Sequence, residues 1–485
     1  MPGMNRRTFL AGTAAAGLAW GAAGEQRRTN LLFVLADSWR STAFTGLGDP
    51  LVSTPNFTRL AEQGARWNRM YASQPVCTPN RSCILTGRLA HQHGMTHNNV
   101  MLPPSERCFP EAFSQAGYAT HYIGKWHMDG SDRPGFVPPG WRRRGLQTFE
   151  GFNSGHYYPT GAQYFTDDGK LLRPAIYEPT YQTDLAIAFM KRNRARPFCC
   201  YLSWGPPHAP YRTIEEWDRY DPAKLEWRRN VPRESQNDAK LRRSLAGYYG
   251  SCSALDHELG RLLKAVDDEG LAASTLVVFT SDHGGMLGSH GLMNKSKPED
   301  ESLHIPLYMR MPGRIRAKQV VEILAGSTDL APTILSLCGL KALPTAAGRD
   351  LSAAVLGGPA PAVDSVYSQG MMRGGSRARK AEEDGEGAGA GGVTGGREWR
   401  CLVTQTHKLA VTCDGKVVGL FDLEKDPFEM KNLSNERSVA ALQTNLIERL
   451  KRWGKETRDP FPKPSQPAER MYSDEEAARI GHWHW

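Results

Sequence analysis

The residues best placed to do chemistry lie in one short run, Cys77-Thr78-Pro79-Asn80-Arg81-Ser82-Cys83-Ile84-Leu85-Thr86-Gly87-Arg88. Thr78 is a capping type and Pro79 suits a first helical turn, so the run predicts a helix that opens here and stops at Gly87. Residue 77 is then expected just ahead of a helix N-terminus, where free N–H groups and the helix dipole favour an anion. Arg81, one turn on, can lie near residue 77 as a charged donor. A nucleophile or its precursor facing a sulfate or phosphate group is the chemistry such a segment supports. A capped surface helix with an incidental cysteine is the plainer alternative.

Other chemically able residues sit at the ends of apolar runs. The run 30–36 ends at Asp37, and 120–123 leads into Gly124-Lys125-Trp126-His127. The run 198–204 leads into Gly205-Pro206-Pro207-His208, and 275–280 into Ser281-Asp282-His283-Gly284-Gly285. The first and last of these runs do not alternate apolar with polar, so each reads as a strand buried on both faces of a parallel sheet covered by helices. Ligands of open α/β sheets bind beyond the carboxyl ends of the strands, and all four sets fall at that edge. Asp37 and Asp282 are hard oxygen donors there and suggest Ca²⁺ or Mg²⁺, although either aspartate alone could cap a turn or helix.

The elements that must position them follow from the wider pattern. Thr54-Pro55 through Gly64 carries a cap type, a proline at the first helical position and a glycine stop. Strands alternating with helices predict an α/β fold with a doubly wound, mostly parallel sheet over 25–365. Residues 373–397, rich in Gly, Ala, Glu and Arg, cannot bury a core and read as a flexible insertion. Beyond it, 398–485 reads as a smaller C-terminal α+β subdomain. Its strands are expected over 399–411 and 416–423, and Val439, Leu442, Leu446, Leu450 and Trp453 mark one helix face. The terminal His482-Trp483-His484-Trp485 reads as a tail rather than a metal site.

Composition sets limits. The 485 residues carry a formal charge of +9 and are 40% hydrophobic, an ordinary globular balance whose mild basic excess suits anionic substrates. Beyond Arg142-Arg143-Arg144 there is no dense basic stripe, so no nucleic-acid partner is expected. Nine cysteines without paired spacing argue against a disulfide scaffold, and Cys199-Cys200 read as core. Residues 1–24, with Arg6-Arg7, a weakly apolar stretch and small residues at Ala22-Ala23-Gly24, read as a twin-arginine signal peptide. The apolar stretch is too short to span a bilayer. The twin-arginine translocase is thus an expected partner, and the expected destination is the periplasm or exterior of a bacterium.

The run from Cys77 to Arg88 resembles the C-x-P-x-R…T-G-R signature of the formylglycine-dependent sulfatases of the alkaline phosphatase superfamily, and the likeness extends from about Asn30 to Leu433. Gly124-Lys125-Trp126-His127 is similar to the family's G-K-W-H, Pro207-His208-Ala209-Pro210 to its P-H-x-P, and Lys295 to the lysine after H-G-L. The resemblance implies that a formylglycine-generating enzyme oxidises Cys77 to formylglycine (3-oxoalanine). It implies one divalent cation, Ca²⁺ before Mg²⁺, held by Asp37, Ser38, Cys77, Asp282 and His283. Ser38 departs from the family's second aspartate.

The resemblance also implies a reaction. One hydroxyl of the hydrated aldehyde, lowered in pKa by the cation and Arg81, attacks sulfur, while the cation, Lys125 and Lys295 offset charge on the equatorial oxygens. His208 or Lys295 protonates the departing alcohol. His127 then deprotonates the second hydroxyl so that sulfate leaves. Sulfate-ester hydrolysis is the leading expectation. A phosphonate monoester or phosphodiester hydrolase and a non-catalytic sulfated-glycan-binding relative are the alternatives. Trp141–Arg144 and Gly155-His156-Tyr157-Tyr158 mix cations with aromatics, which suits a sulfated carbohydrate as much as an ordinary structural loop.

Overall fold

A computed structural model describes residues 28–49, 51–159, 161–359, 361–371, 393–394, 397–463 and 471–480. The twin-arginine segment, nearly all of the 373–397 insertion and the His482–Trp485 tail lie outside the described residues.

A ten-stranded sheet organises the chain. Its middle five strands, in the order Thr275–Ser281, Asn30–Asp37, Phe198–Pro207, Ala119–Lys125 and Thr148–Phe152, are mutually parallel. Leu307–Arg310 joins one side antiparallel, and short antiparallel strands extend the other. The uninterrupted apolar runs have a direct structural cause. Leu31, Phe33 and Leu35 pack into one core layer, and Leu32, Val34 and Ala36 into the layer on the opposite face. Helices cover both faces. Phe109 and Phe113 from Phe109–Gln115, with Ile334 and Leu335 from Leu330–Leu337, fill the first layer. The second is filled from Pro55–Gln63 and from the 30-residue helix Ala239–Asp268.

The four strands expected to carry the chemistry are adjacent in this sheet, and each runs one to three residues past its expected end. In register, Ala36 faces Ser281 and Asp37 faces Pro207, so the functional ends reach one level.

Two helix signals act differently from expectation. Thr54 makes no side-chain cap bond to its helix, and its hydroxyl instead accepts from Thr45 N at 2.8 Å. Gly64 is not left-handed. At φ −155° any residue could adopt its backbone, but a Cβ there would come within 2.2 Å of Met309 O. The glycine is needed for close approach to the neighbouring strand.

The C-terminal residues build a four-stranded antiparallel sheet, Val366–Gly370, Trp399–Val403, His407–Thr412 and Val417–Asp422. The strand expected over 399–411 is therefore two strands, turned at Thr404, whose hydroxyl accepts from the backbone of Thr406 and His407. Leu446 and Leu450 of the helix Ala440–Thr457 pack on Leu402, Leu409 and Leu420, with Val439, Leu442 and Trp453 along the same face. All nine cysteines are free. Among the described residues no helix is long and apolar enough to cross a membrane.

Two glycine-to-alanine changes are expected to act in opposite directions. Gly64→Ala should destabilise by about 1–3 kcal/mol, because the new methyl meets fixed backbone. Gly454→Ala, inside the Ala440–Thr457 helix with nothing within 4 Å of its Cβ, should stabilise by about 0.5–1 kcal/mol. Denaturant titration of both variants checks the signs.

Candidate active site

The helix from the Cys77 segment, Cys77–Thr86, is buried along its whole length and ends at Gly87, which is left-handed at φ 68°. It starts two residues earlier than expected. Val76 occupies the capping position and Cys77 is the first helical residue. Thr78 is not the cap: its N–H is taken by Asn98 Oδ1 at 3.0 Å, and its hydroxyl donates to His127 O at 2.7 Å. Residue 77 still sits on the helix N-terminus, where the anion argument applies.

Around the Cys77 sulfur the structure gathers the strand-end residues. Its Sγ lies 3.3 Å from His283 Nε2, 3.7 Å from Asp37 Oδ1 and 3.6 Å from Lys295 Nζ. Asp37, Cys77, Asp282 and His283 each offer a ligand atom, all within 4.8 Å of one another and all buried. His283 Nδ1 lies 2.8 Å from Gly284 O, which fixes the ring proton there and turns the Nε2 lone pair toward the cluster. Two carboxylates and an imidazole lone pair converging in this way fit a divalent cation. The Ser38 hydroxyl stands among them, donating to Asp37 Oδ1 at 3.2 Å and lying 3.4 Å from His283 Nδ1. Its backbone is left-handed at φ 67°, and its N–H donates to Asp282 Oδ1 at 3.1 Å.

Arg81 faces the carboxylates more than the sulfur. Its Nε donates to Asp282 Oδ2 at 2.9 Å and its Nη2 to Asp37 Oδ2 at 3.1 Å, while Nη1 serves Lys125 O and Ser203 Oγ. Four of its five N–H donors are thus engaged in holding the cluster together. Lys125 Nζ donates to Asp37 Oδ2 at 2.7 Å and to His156 Nε2 at 3.3 Å. Burial opposes the Asp37 charge, yet Lys125 leads a set of neighbouring cations that holds this carboxyl well below the usual range.

The histidines divide by the atoms they present. His127 Nε2 donates to Asn99 Oδ1 at 3.0 Å, leaving Nδ1 as a buried lone pair without a partner among the described residues. Burial, then Lys125 and Arg81, push its pKa well below the ordinary value, so it is a neutral acceptor. His208 Nδ1 donates to Ala209 O at 2.6 Å, and its Nε2 accepts from Lys295 Nζ. Burial first and Lys295 second depress His208 as well. Three cationic side chains against two carboxylates leave an excess of positive charge suited to an anion.

Every expected site residue therefore lies in one cluster: Asp37, Ser38, Cys77, Arg81, Lys125, His127, His208, Asp282, His283 and Lys295. Sequence reasoning missed Asn99, which carries no motif, and the contact of His156 with Lys125. The Trp141–Arg144 stretch is structural. Trp141 and Arg143 are buried, Trp141 donates to Asp474 Oδ1 at 2.9 Å, Arg143 pairs with Asp167 and Arg144 serves the Pro103 carbonyl.

Comparison with known proteins gives concordant findings. A family model described as Sulfatase matches residues 29–340. The chain is 31% identical over 444 residues to the ulvan-active sulfatase of Formosa agariphila, covering 90% of this chain and 83% of that protein. It is 25% identical over 394 residues to the N-acetylglucosamine-6-O-sulfatase of Bacteroides thetaiotaomicron, covering 65% and 69%. Among solved structures, yidJ from Bacteroides fragilis superposes with a TM-score of 0.80 at 26% identity, covering 92% of this chain and 99% of that one.

Burial, then Asp37, raises the unmodified Cys77 thiol to about 11. In metal-free protein that still carries the cysteine, its alkylation by iodoacetamide at pH 8 should run about a hundredfold slower than that of an exposed thiol. Peptide mass spectrometry after timed quenching reads the rate, and alkylation at the ordinary rate would contradict the burial argument.

Proposed function

The chain belongs to the sulfatase family and is a sulfuric ester hydrolase; from that premise we propose that it removes sulfate from a carbohydrate ester, with residue 77 as formylglycine and a divalent cation beside it. One observation carries the reading: a single buried sulfur touches the Asp37–His283 ligand set on one side and Lys295 on the other. As a thiol held near 11, Cys77 would be a poor nucleophile at neutral pH, which supports its conversion.

Formylglycine at this position supplies a geminal diol, one hydroxyl to attack sulfur and a second whose oxygen can restore the carbonyl as sulfate departs. A cation held by Asp37, Asp282 and His283, with Ser38 and residue 77 beside it, would supply Lewis acidity toward the sulfate oxygens; the two carboxylates favour a hard ion, Ca²⁺ or Mg²⁺.

The chain's own residues do the rest. Arg81 holds Asp37 and Asp282 in alignment. Lys125 and Lys295 set ammonium groups against the ester oxygens on two sides of residue 77. His127 would take a proton from a hydroxyl of residue 77, a role that its buried, unpartnered Nδ1 lone pair supports. The Lys295–His208 pair holds the proton that the departing alcohol needs.

The names of relatives acting on ulvan and on N-acetylglucosamine 6-sulfate support a sulfated carbohydrate. Arg6-Arg7 supports export of the folded enzyme to the periplasm or exterior by the twin-arginine translocase, after a formylglycine-generating enzyme has acted.

Protein coexpressed with a formylglycine-generating enzyme should show the residue-77 peptide about 18 Da lighter than its cysteine form, and should release sulfate only in that form. Rates on matched aryl sulfate, aryl phosphodiester and phosphonate monoester substrates should favour the sulfate; the reverse order would reassign the reaction to phosphorus.

Lys295→Ala should slow phenyl sulfate by about 10²–10⁴-fold and p-nitrophenyl sulfate much less, because a poor leaving group needs the proton more. Equal losses on both esters would remove Lys295 from the leaving-group side.

A further inference from the structure

His156 belongs to none of the motifs that mark the site, yet it touches both halves of it. Its Nε2 lies 3.3 Å from Lys125 Nζ. Its ring stacks face to face on His208, with centroids 3.8 Å apart and planes 3° from parallel. The two loops that carry these rings are tied to each other, since the Tyr158 hydroxyl donates to the carbonyls of His208 and Ala209.

The donor arithmetic fixes the state of the ring. A lysine ammonium can only donate, so His156 Nε2 accepts from Lys125 and its proton sits on Nδ1. Lys125 then has one N–H on Asp37, one on His156 and, among the described residues, a third for an anion. Because its only lone pair is occupied, His156 stays uncharged and offers His208 a neutral π face. A cation stacked there would add like charge beside the Lys295 ammonium that donates to His208.

We propose that His156 is a positioning residue for desulfation: one ring aims Lys125 at the sulfate oxygens and holds His208 flat against the leaving-group side. The proposal rests on the assignment of those two sides given above. It predicts separable effects, because the acceptor atom serves Lys125 while the flat face serves His208.

The test uses purified, formylglycine-bearing enzyme carrying His156→Phe, His156→Gln or His156→Ala, with phenyl sulfate and p-nitrophenyl sulfate as substrates and calorimetry with inorganic sulfate. His156→Phe keeps the face and loses the acceptor. It should weaken sulfate binding by about 3–10-fold and leave the ratio of kcat/KM values for the two esters within about twofold of wild type. His156→Gln keeps an acceptor and loses the face. It should bind sulfate nearly as wild type does and widen that ratio by about tenfold, against phenyl sulfate. His156→Ala should show both changes; if it does not fold, the other two variants decide.

The same pattern in the Phe and Gln variants, or wild-type behaviour in both, overturns the proposal. Failure of the wild-type enzyme to release sulfate from either ester overturns the functional reading instead, and the calorimetric arm then still judges the contact with Lys125.

Discussion

Asp37 carries its charge where no water reaches it, and much of the active-site edge is arranged to make that tolerable. A carboxylate taken out of water loses several kcal/mol of solvation unless opposite charge and hydrogen bonds replace it. Here Oδ2 is shared by Lys125 and Arg81, and Arg81 reaches on to Asp282. These four groups come from three parallel strands and the helix that starts at Cys77. The charge cluster therefore fixes the relative heights of the strand ends and, through Arg81, the seat of residue 77. A convergence of buried carboxylates is also what a divalent cation requires, so the same constraint suits the site to one.

The same edge concentrates unfavourable backbone conformations. Ser38, Asn99, His127 and Ser296 are all left-handed without being glycine. Each lies in or next to the cluster. Ser38 turns its N–H onto Asp282, Asn99 grips His127, and Ser296 follows Lys295. Strain of this kind persists only where the surroundings over-determine it. The two core layers, which pack against opposite faces of the strands, supply that rigidity.

Farther away, the small C-terminal sheet is joined to the main body by buried ionic contacts. Lys408 meets Asp300 and Glu429. Within the subdomain Arg400 clasps Asp459, which also holds Gln369 and Tyr367, and His91 of the main body lies 3.6 Å from the same carboxylate. Asp300 lies five residues beyond Lys295, so the subdomain steadies the segment that delivers this lysine. Charges buried in pairs specify one arrangement because any slip leaves one of them unpaired.

By itself the sequence determined the parallel sheet, since runs such as 30–36 are apolar at every position and only a strand covered on both faces can bury them. It also determined which residues stand at the sheet's edge, because Asp37, Lys125, His208 and Asp282 follow those runs directly. The family likeness, carried by spacing around Cys77, then named the remainder of the set. The tertiary structure alone decided who touches whom. That Arg81 serves carboxylates more than the sulfur, that Thr78 bonds to His127 rather than capping its helix, and that His156 lies on His208 are contacts between segments 40 to more than 200 residues apart. Local pattern encodes direction and burial along one element. It does not encode which lone pair meets which proton across several, and that depends on how the packed layers set the loops against one another.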